Sequence, residues 1–213
     1  MKLIKFILIC LISCITSQAI AHPHSFIDLK NEVLLEGTTL KGFQMEWTMD
    51  EIASAELIYE VKSSSDREAT KKSITAEMVQ TVIENHYFSY LYNAKNEPLK
   101  FTTKPSDTTF RIADKRVVFY VTFYLSQPYD LTNNPVRFYT YEPSYYMAME
   151  YNNKQDLSIS NQECKVSLEQ PQVNQSLRLY ASSLDKTQTP DMPDEDGNSL
   201  GAQFAQKVVA VCE

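Results

Sequence analysis

The chain has 213 residues, with 27 acidic against 20 basic side chains and a formal charge of −7. An acidic balance argues against nucleic acid or an anionic membrane surface as partner, and is compatible with attracting cations. Only four glycines are present, none arranged as a phosphate-binding loop.

The chain opens with the basic segment Met1-Lys2-Leu3-Ile4-Lys5, followed by the apolar run Phe6 to Ile12 and the small-residue site Ala19-Ile20-Ala21. Residues 1–21 therefore read as a cleaved secretory signal, and residues 22–213 as one periplasmic domain large enough to bury its own core. The apolar run is too short to cross a bilayer. Leu11-Ile12-Ser13-Cys14 offers a competing lipobox reading that would make Cys14 a lipidated terminus; otherwise membrane contact would come only through a partner. Cleavage after Ala21 removes Lys2 and Lys5 and takes the charge from −7 to −9.

In the exported part, Ile27, Leu29, Val33 and Leu35 alternate with more polar residues. After Gly37-Thr38-Thr39 the segment Leu40 to Met49 places Phe43, Met45, Trp47 and Met49 on one face, so the two runs predict a β-hairpin. Thr48 and Glu51 have capping-box spacing, which predicts a short helix from about Asp50 with Ile52, Ala55, Ile58 and Tyr59 at helical intervals. Ser63 to Lys72 reads as an exposed connection. A second helix is predicted from about Ser73 to Tyr90, with Met78, Val79, Val82, Ile83, His86 and Tyr90 on one stripe.

Strands are then predicted at Leu99–Thr103, Thr108–Ala113, Val117–Leu125, Arg137–Tyr141, Tyr145–Tyr151 and Cys164–Leu168, followed by a short helix at Leu200–Lys207 and a C-terminal strand. The fold class is α+β: an antiparallel sheet or sandwich, with two helices inserted after an N-terminal hairpin and a short C-terminal helix. The loop Ser183 to Ser199 contains Asp194-Glu195-Asp196-Gly197. Met192 and Gln203 stand where the first and last ligands of a calcium loop belong, so it reads as solvated.

Cys164 and Cys212 are the two cysteines left after cleavage, and in an oxidising compartment an even pair predicts a disulfide. Closing a loop of about 49 residues would stabilise the fold by about 4 kcal/mol and hold the C-terminal strand. A redox pair would show C-x-x-C spacing, which is absent.

Two of the three histidines, His22 and His24, flank Pro23 at the start of the mature chain. Residues two apart in an extended chain point the same way, about 6.6 Å apart at Cα, so both imidazoles can approach one ion. Asp28 is about 13 Å along the strand, too far without a bend. With cleavage after Ala21, the amine and Nδ1 of His22 could chelate the same ion. Pro23 lacks the amide needed for the amino-terminal copper motif. Imidazole and amine donors suit zinc, nickel, cobalt or copper rather than calcium. The alternative is a frayed polar terminus.

The start A-H-P-H-S-F-I-D, the run Gly42-Phe43-Gln44-Met45-Glu46-Trp47-Thr48-Met49-Asp50-Glu51 and the segment Leu200-Gly201-Ala202-Gln203-Phe204-Ala205 before Cys212 together resemble a family of bacterial periplasmic proteins. Its members are classed as uncharacterised ABC-type transport components. The resemblance implies a periplasmic accessory of transition-metal transport, working with an inner-membrane transporter of nickel/cobalt type or in zinc uptake, and the leading expectation is a non-enzymatic metal-binding protein. It maps the histidine motif onto His22 and His24, and the W-x-x-D-E motif onto Trp47, Asp50 and Glu51.

Asp50 is then a candidate third metal ligand, against a role as helix-end charge. Glu51 fits the capping box and Trp47 the core. His86, on the apolar stripe of the second helix, reads as a core or boundary residue and a further possible ligand. The tyrosines from Tyr139 to Tyr151 read as core and sheet surface, with a carbohydrate- or peptide-binding face as the alternative. Two other functional classes stay open: a copper oxidative enzyme built on an N-terminal histidine brace, and a structural lipoprotein anchored at Cys14. No G-x-S-x-G motif supports a hydrolase.

Overall fold

The computed structural model describes residues 22–185, 188–192 and 198–213. Residues 1–21, with Cys14 and the expected signal, and the acidic run Asp194–Gly197 lie outside the described residues. The architecture is α+β, two sheets packed on one another with helices at the margins. No helix among the described residues is long and apolar enough to cross a membrane.

The first sheet is built on the expected hairpin, β1 (Ser25–Glu36) and β2 (Thr39–Met49), paired antiparallel with Ile27 opposite Met49 and Val33 opposite Phe43. Gly37 supplies the left-handed turn between them. β2 continues onto β5 (Arg116–Asp130), and β5 onto β4 (Asp107–Ala113). On the other side β1 takes β7 (Met147–Glu150) and β8 (Leu157–Ile159) in parallel register, so the sheet is mixed rather than wholly antiparallel. The second sheet runs in the order β3 (Ser89–Tyr92), β6 (Val136–Thr140), β10 (Lys207–Cys212) and β9 (Cys164–Glu169).

The sheets meet through apolar side chains at every second position, as period-2 strands require. Phe43 of the first sheet stacks on Phe138 of the second at 4.2 Å, and Phe123 stacks on Tyr87 at 4.5 Å. Trp47 is buried against Phe88 and Phe119, the core role expected for it. Cys164 and Cys212 face one another in register across β9 and β10 and form the disulfide, which ties the last strand to its neighbour.

Helix α1 (Glu51–Ser63) packs on β5, and α2 (Arg67–Glu84) on α1 and β4. The cap of α1 is Asp50, whose side chain accepts from Ile52 N and Ala53 N; Thr48 is still in strand, so the expected Thr48–Glu51 capping box does not form. Glu51 is exposed beside Lys115. α2 begins six residues before the expected Ser73 because Asp66 caps it through Ala69 N. That first part, Arg67 to Lys72, is polar nearly all round and carries no apolar stripe to read.

α2 also stops earlier than expected. His86, Tyr87 and Phe88 take φ of 49°, 60° and 47°, a left-handed turn that ends the helix and sends Ser89–Tyr92 off as a strand. Leu99–Thr103, expected as a strand, makes only an isolated bridge from Phe101 to Leu125. Two further helices follow, α3 (Gln175–Ser183) and the short α4 (Leu200–Phe204). α3 places a nine-residue helix in the second half of the chain, where only the short C-terminal one was expected.

Candidate metal centre

The histidine pair lies at the entry to β1, where three segments converge. Pro23 leads into the strand, and the backbone of His24 and Ser25 donates to the Tyr146 carbonyl at 2.9 and 3.2 Å. This fastens His24 and Ser25 to the turn preceding β7. His22 is only 4 % exposed, and its Nδ1 lies 3.2 Å from the Leu184 carbonyl. The two imidazole centroids are 4.6 Å apart with their planes at 67°, and the Tyr146 ring stands 5.1 Å from His24 and 6.3 Å from His22. The pair is therefore held on both sides within the described residues.

Each wall has a local cause. Leu184 is the C-terminal cap residue of α3, and carbonyls at a helix C-terminus favour positive charge nearby. Beneath it Ala181, Leu184 and Leu200 form a small second core with Tyr145, Tyr180, Met192 and Phe204 around it. The opposite wall is the turn Glu142–Tyr146. The Glu142 carboxylate accepts from Ser144 N and Oγ at 2.8 and 2.7 Å and from Tyr146 N at 2.8 Å, so it shapes the turn. Gly201 permits α4 to lie against this turn: a Cβ there would stand 1.9 Å from the Glu142 carbonyl oxygen, and Gly201 N donates to Pro143 O at 2.9 Å.

Asp50 is committed elsewhere. Its Oδ2 accepts from Ser25 Oγ at 3.0 Å and Phe26 N at 2.8 Å, and its Oδ1 from Ile52 N and Ala53 N, both at 2.8 Å. Partial burial pushes this carboxyl up, but the amides of Ala53, Phe26 and Ile52 and the Ser25 hydroxyl outweigh it and hold the group below the usual aspartate value. Its role is to cap α1 and pin the start of β1.

His86 is exposed, on the left-handed turn, and lines a cleft of about 570 Å³ with Tyr87, Leu91 and Phe101, rather than lying in the core or at its boundary as its helical spacing suggests. Asp28 pairs with Arg116 at 2.7 Å. The structure does not bring Asp50 or His86 to the histidine pair. Among the described residues no group of three or more His, Cys, Asp or Glu side chains is placed to hold a metal ion.

What the geometry offers is thus a two-imidazole donor set. A proton on Nδ1 directed at the Leu184 carbonyl would leave His22 Nε2 as the donor atom, the arrangement by which metal-binding histidines are commonly oriented. His22 and His24 would hold the ion, and it would carry Lewis-acid or cargo chemistry when bound. Tyr146, Leu184, Glu142 and Gly201 were not singled out for this site from sequence. Only the Leu200–Ala205 segment, part of the family resemblance, pointed toward one of these walls.

Comparisons with known proteins agree with one family over almost the whole chain. A family model described as "Protein of unknown function (DUF1007)" matches residues 7–212. A protein of Haemophilus influenzae described as "Uncharacterized protein" is 36 % identical over 201 residues, covering 93 % of this chain and 95 % of its own length. No solved structure matches.

Proposed function

The chain belongs to the DUF1007 family, and we propose from its histidine pair that it is a non-enzymatic, exported metal-binding protein that serves an inner-membrane metal transporter in the periplasm. Zinc is the favoured ion, and nickel, cobalt or copper suit the same donors. The observation that carries this reading is the convergence of His22 and His24 at 4.6 Å, with His22 buried and its ring oriented by a backbone carbonyl.

Two imidazoles do not fill a zinc coordination sphere. An open set of this kind suits a protein that passes the ion on, with water or a partner supplying the remaining ligands. The acidic surface favours cation capture in the same direction. A histidine brace would need Nδ1 of His22 for the metal, and that atom faces the Leu184 carbonyl. This supports cargo binding over oxidative copper chemistry.

The test is zinc titration by calorimetry of the wild type beside His22→Ala and His24→Ala, with growth of a deletion strain under zinc chelation. Saturable binding lost in either variant, together with impaired growth, supports the proposal. Binding that survives both substitutions, or a deletion strain that grows normally without zinc, rejects it.

A further inference from the structure

A second candidate site lies on the outer face of the four-stranded sheet. Cross-strand register sets Tyr90, Tyr139, Lys207 and Glu169 side by side across β3, β6, β10 and β9. Beside this row opens a cleft of about 680 Å³, within the range of small-ligand sites. Tyr92, Tyr139 and Tyr141 line one part of it. Tyr141 is fixed by stacking on Tyr90 at 4.2 Å, and the Tyr92 and Tyr139 rings meet at 6.2 Å with their planes 72° apart, forming an aromatic corner. Asn96, Gln172, Pro98 and Pro171 line another part, and Lys207 pairs with Glu169 at 2.6 Å in the wall.

We infer that this cleft binds a neutral saccharide. Aromatic rings offer an apolar face to the C–H face of a sugar, while each amide presents both a donor and an acceptor, the two roles a row of hydroxyls demands. The ligand is neutral because the cation lining the cleft is already paired with the carboxylate. That pairing excludes a phosphate-bearing ligand, which needs surplus positive charge. A wholly apolar ligand would strip water from the amides and the ion pair without replacing it. An extended peptide that adds as a strand would pair along the outer edge of β3 or β9, whereas the aromatic corner at Tyr139 and the Lys207–Glu169 pair lie across the face of the sheet.

The test is calorimetric titration of the full-length protein with chitotetraose, cellotetraose and maltotetraose, and with tetra-alanine as the peptide probe. Saturable binding of at least one tetrasaccharide but not tetra-alanine is expected. Tyr139→Ala should weaken it by up to about tenfold, the scale of one aromatic contact. Gln172→Ala, at an exposed position off the sheet, should also weaken it, and keeps the test decisive if Tyr139→Ala does not fold. His22→Ala should leave it unchanged, so the outcome is separate from that for metal binding. No saccharide binding, binding of tetra-alanine instead, or saccharide affinity undiminished by Gln172→Ala would overturn the inference.

Discussion

Phe26 and Asp50 hold one another in both directions: Phe26 N donates to the Asp50 carboxylate at 2.8 Å, and Asp50 N donates to the Phe26 carbonyl at 3.0 Å. One residue thereby caps α1 and fixes the strand that begins at the histidine pair. Asp50→Ala is expected to cost about 1–2 kcal/mol in urea unfolding, the scale of a lost N-cap. Asp50→Asn should cost less and leave zinc affinity unchanged, since the carboxylate is engaged by the chain rather than by an ion. The sign of the pH effect follows from the lowered pKa. The stabilisation is full above the unfolded value of about 4 and is lost as pH falls through the lower folded value. Acid unfolding of Asp50→Asn should accordingly lack that part of the wild-type loss.

Gly201 acts on the histidines at one remove. The Cβ of Gly201→Ala would strike backbone at Glu142, which cannot yield as a side-chain tip does, so the turn carrying Tyr146 must shift. Because the Tyr146 carbonyl holds His24 N, zinc affinity is expected to fall along with stability. Calorimetric titration of Gly201→Ala beside a thermal melt checks both effects. A variant that melts lower but binds zinc as well as wild type would separate the turn from the site.

The Cys164–Cys212 bridge should matter more than any single contact in the second sheet. Cys164→Ser with Cys212→Ser, or reduction, is expected to remove about 4 kcal/mol, with the melting temperature falling in parallel. Cys212 is fully buried, so reduction should require partial unfolding and proceed slowly in native protein.

Alkaline pH should destabilise the protein through Tyr151. Complete burial pushes its hydroxyl up to about 12, and neighbouring Thr140 and Asn31 only partly offset this. A raised folded value means the contribution is whole below the unfolded pKa of about 10 and is lost as pH rises toward 12. Tyr151→Phe should flatten the fall in melting temperature between about pH 10 and 12. Tyr145, also raised to about 12, should retain part of it.

The parts of this fold that were legible in sequence are those with a short physical period. Ile27, Leu29 and Val33 alternate because one face of β1 is buried, and Cys164 and Cys212 pair because β9 and β10 set them opposite one another in register. His86 shows what a period cannot convey. Its spacing from Val82 continues a helical stripe, yet the chain turns left-handed at His86–Phe88 without a glycine to mark it. The same limit applies at the candidate site. His22 and His24 stand out by spacing, whereas Leu184 and Tyr146 contribute backbone carbonyls, which leave no trace in residue type. Asp50 reads in sequence as an available carboxylate, whereas two of its four hydrogen bonds depend on where β1 ends up and the other two on the helix it caps.

The central claim is that His22 and His24 hold a transition-metal ion in the mature protein. Native mass spectrometry of protein purified from the periplasm reads the N-terminus, the disulfide and any bound ion in one spectrum. The account predicts a chain beginning at His22, oxidised at Cys164 and Cys212, carrying one zinc ion that His22→Ala and His24→Ala each remove. A mature protein that takes up no transition metal when zinc is supplied, or one whose metal persists in both variants, would contradict it.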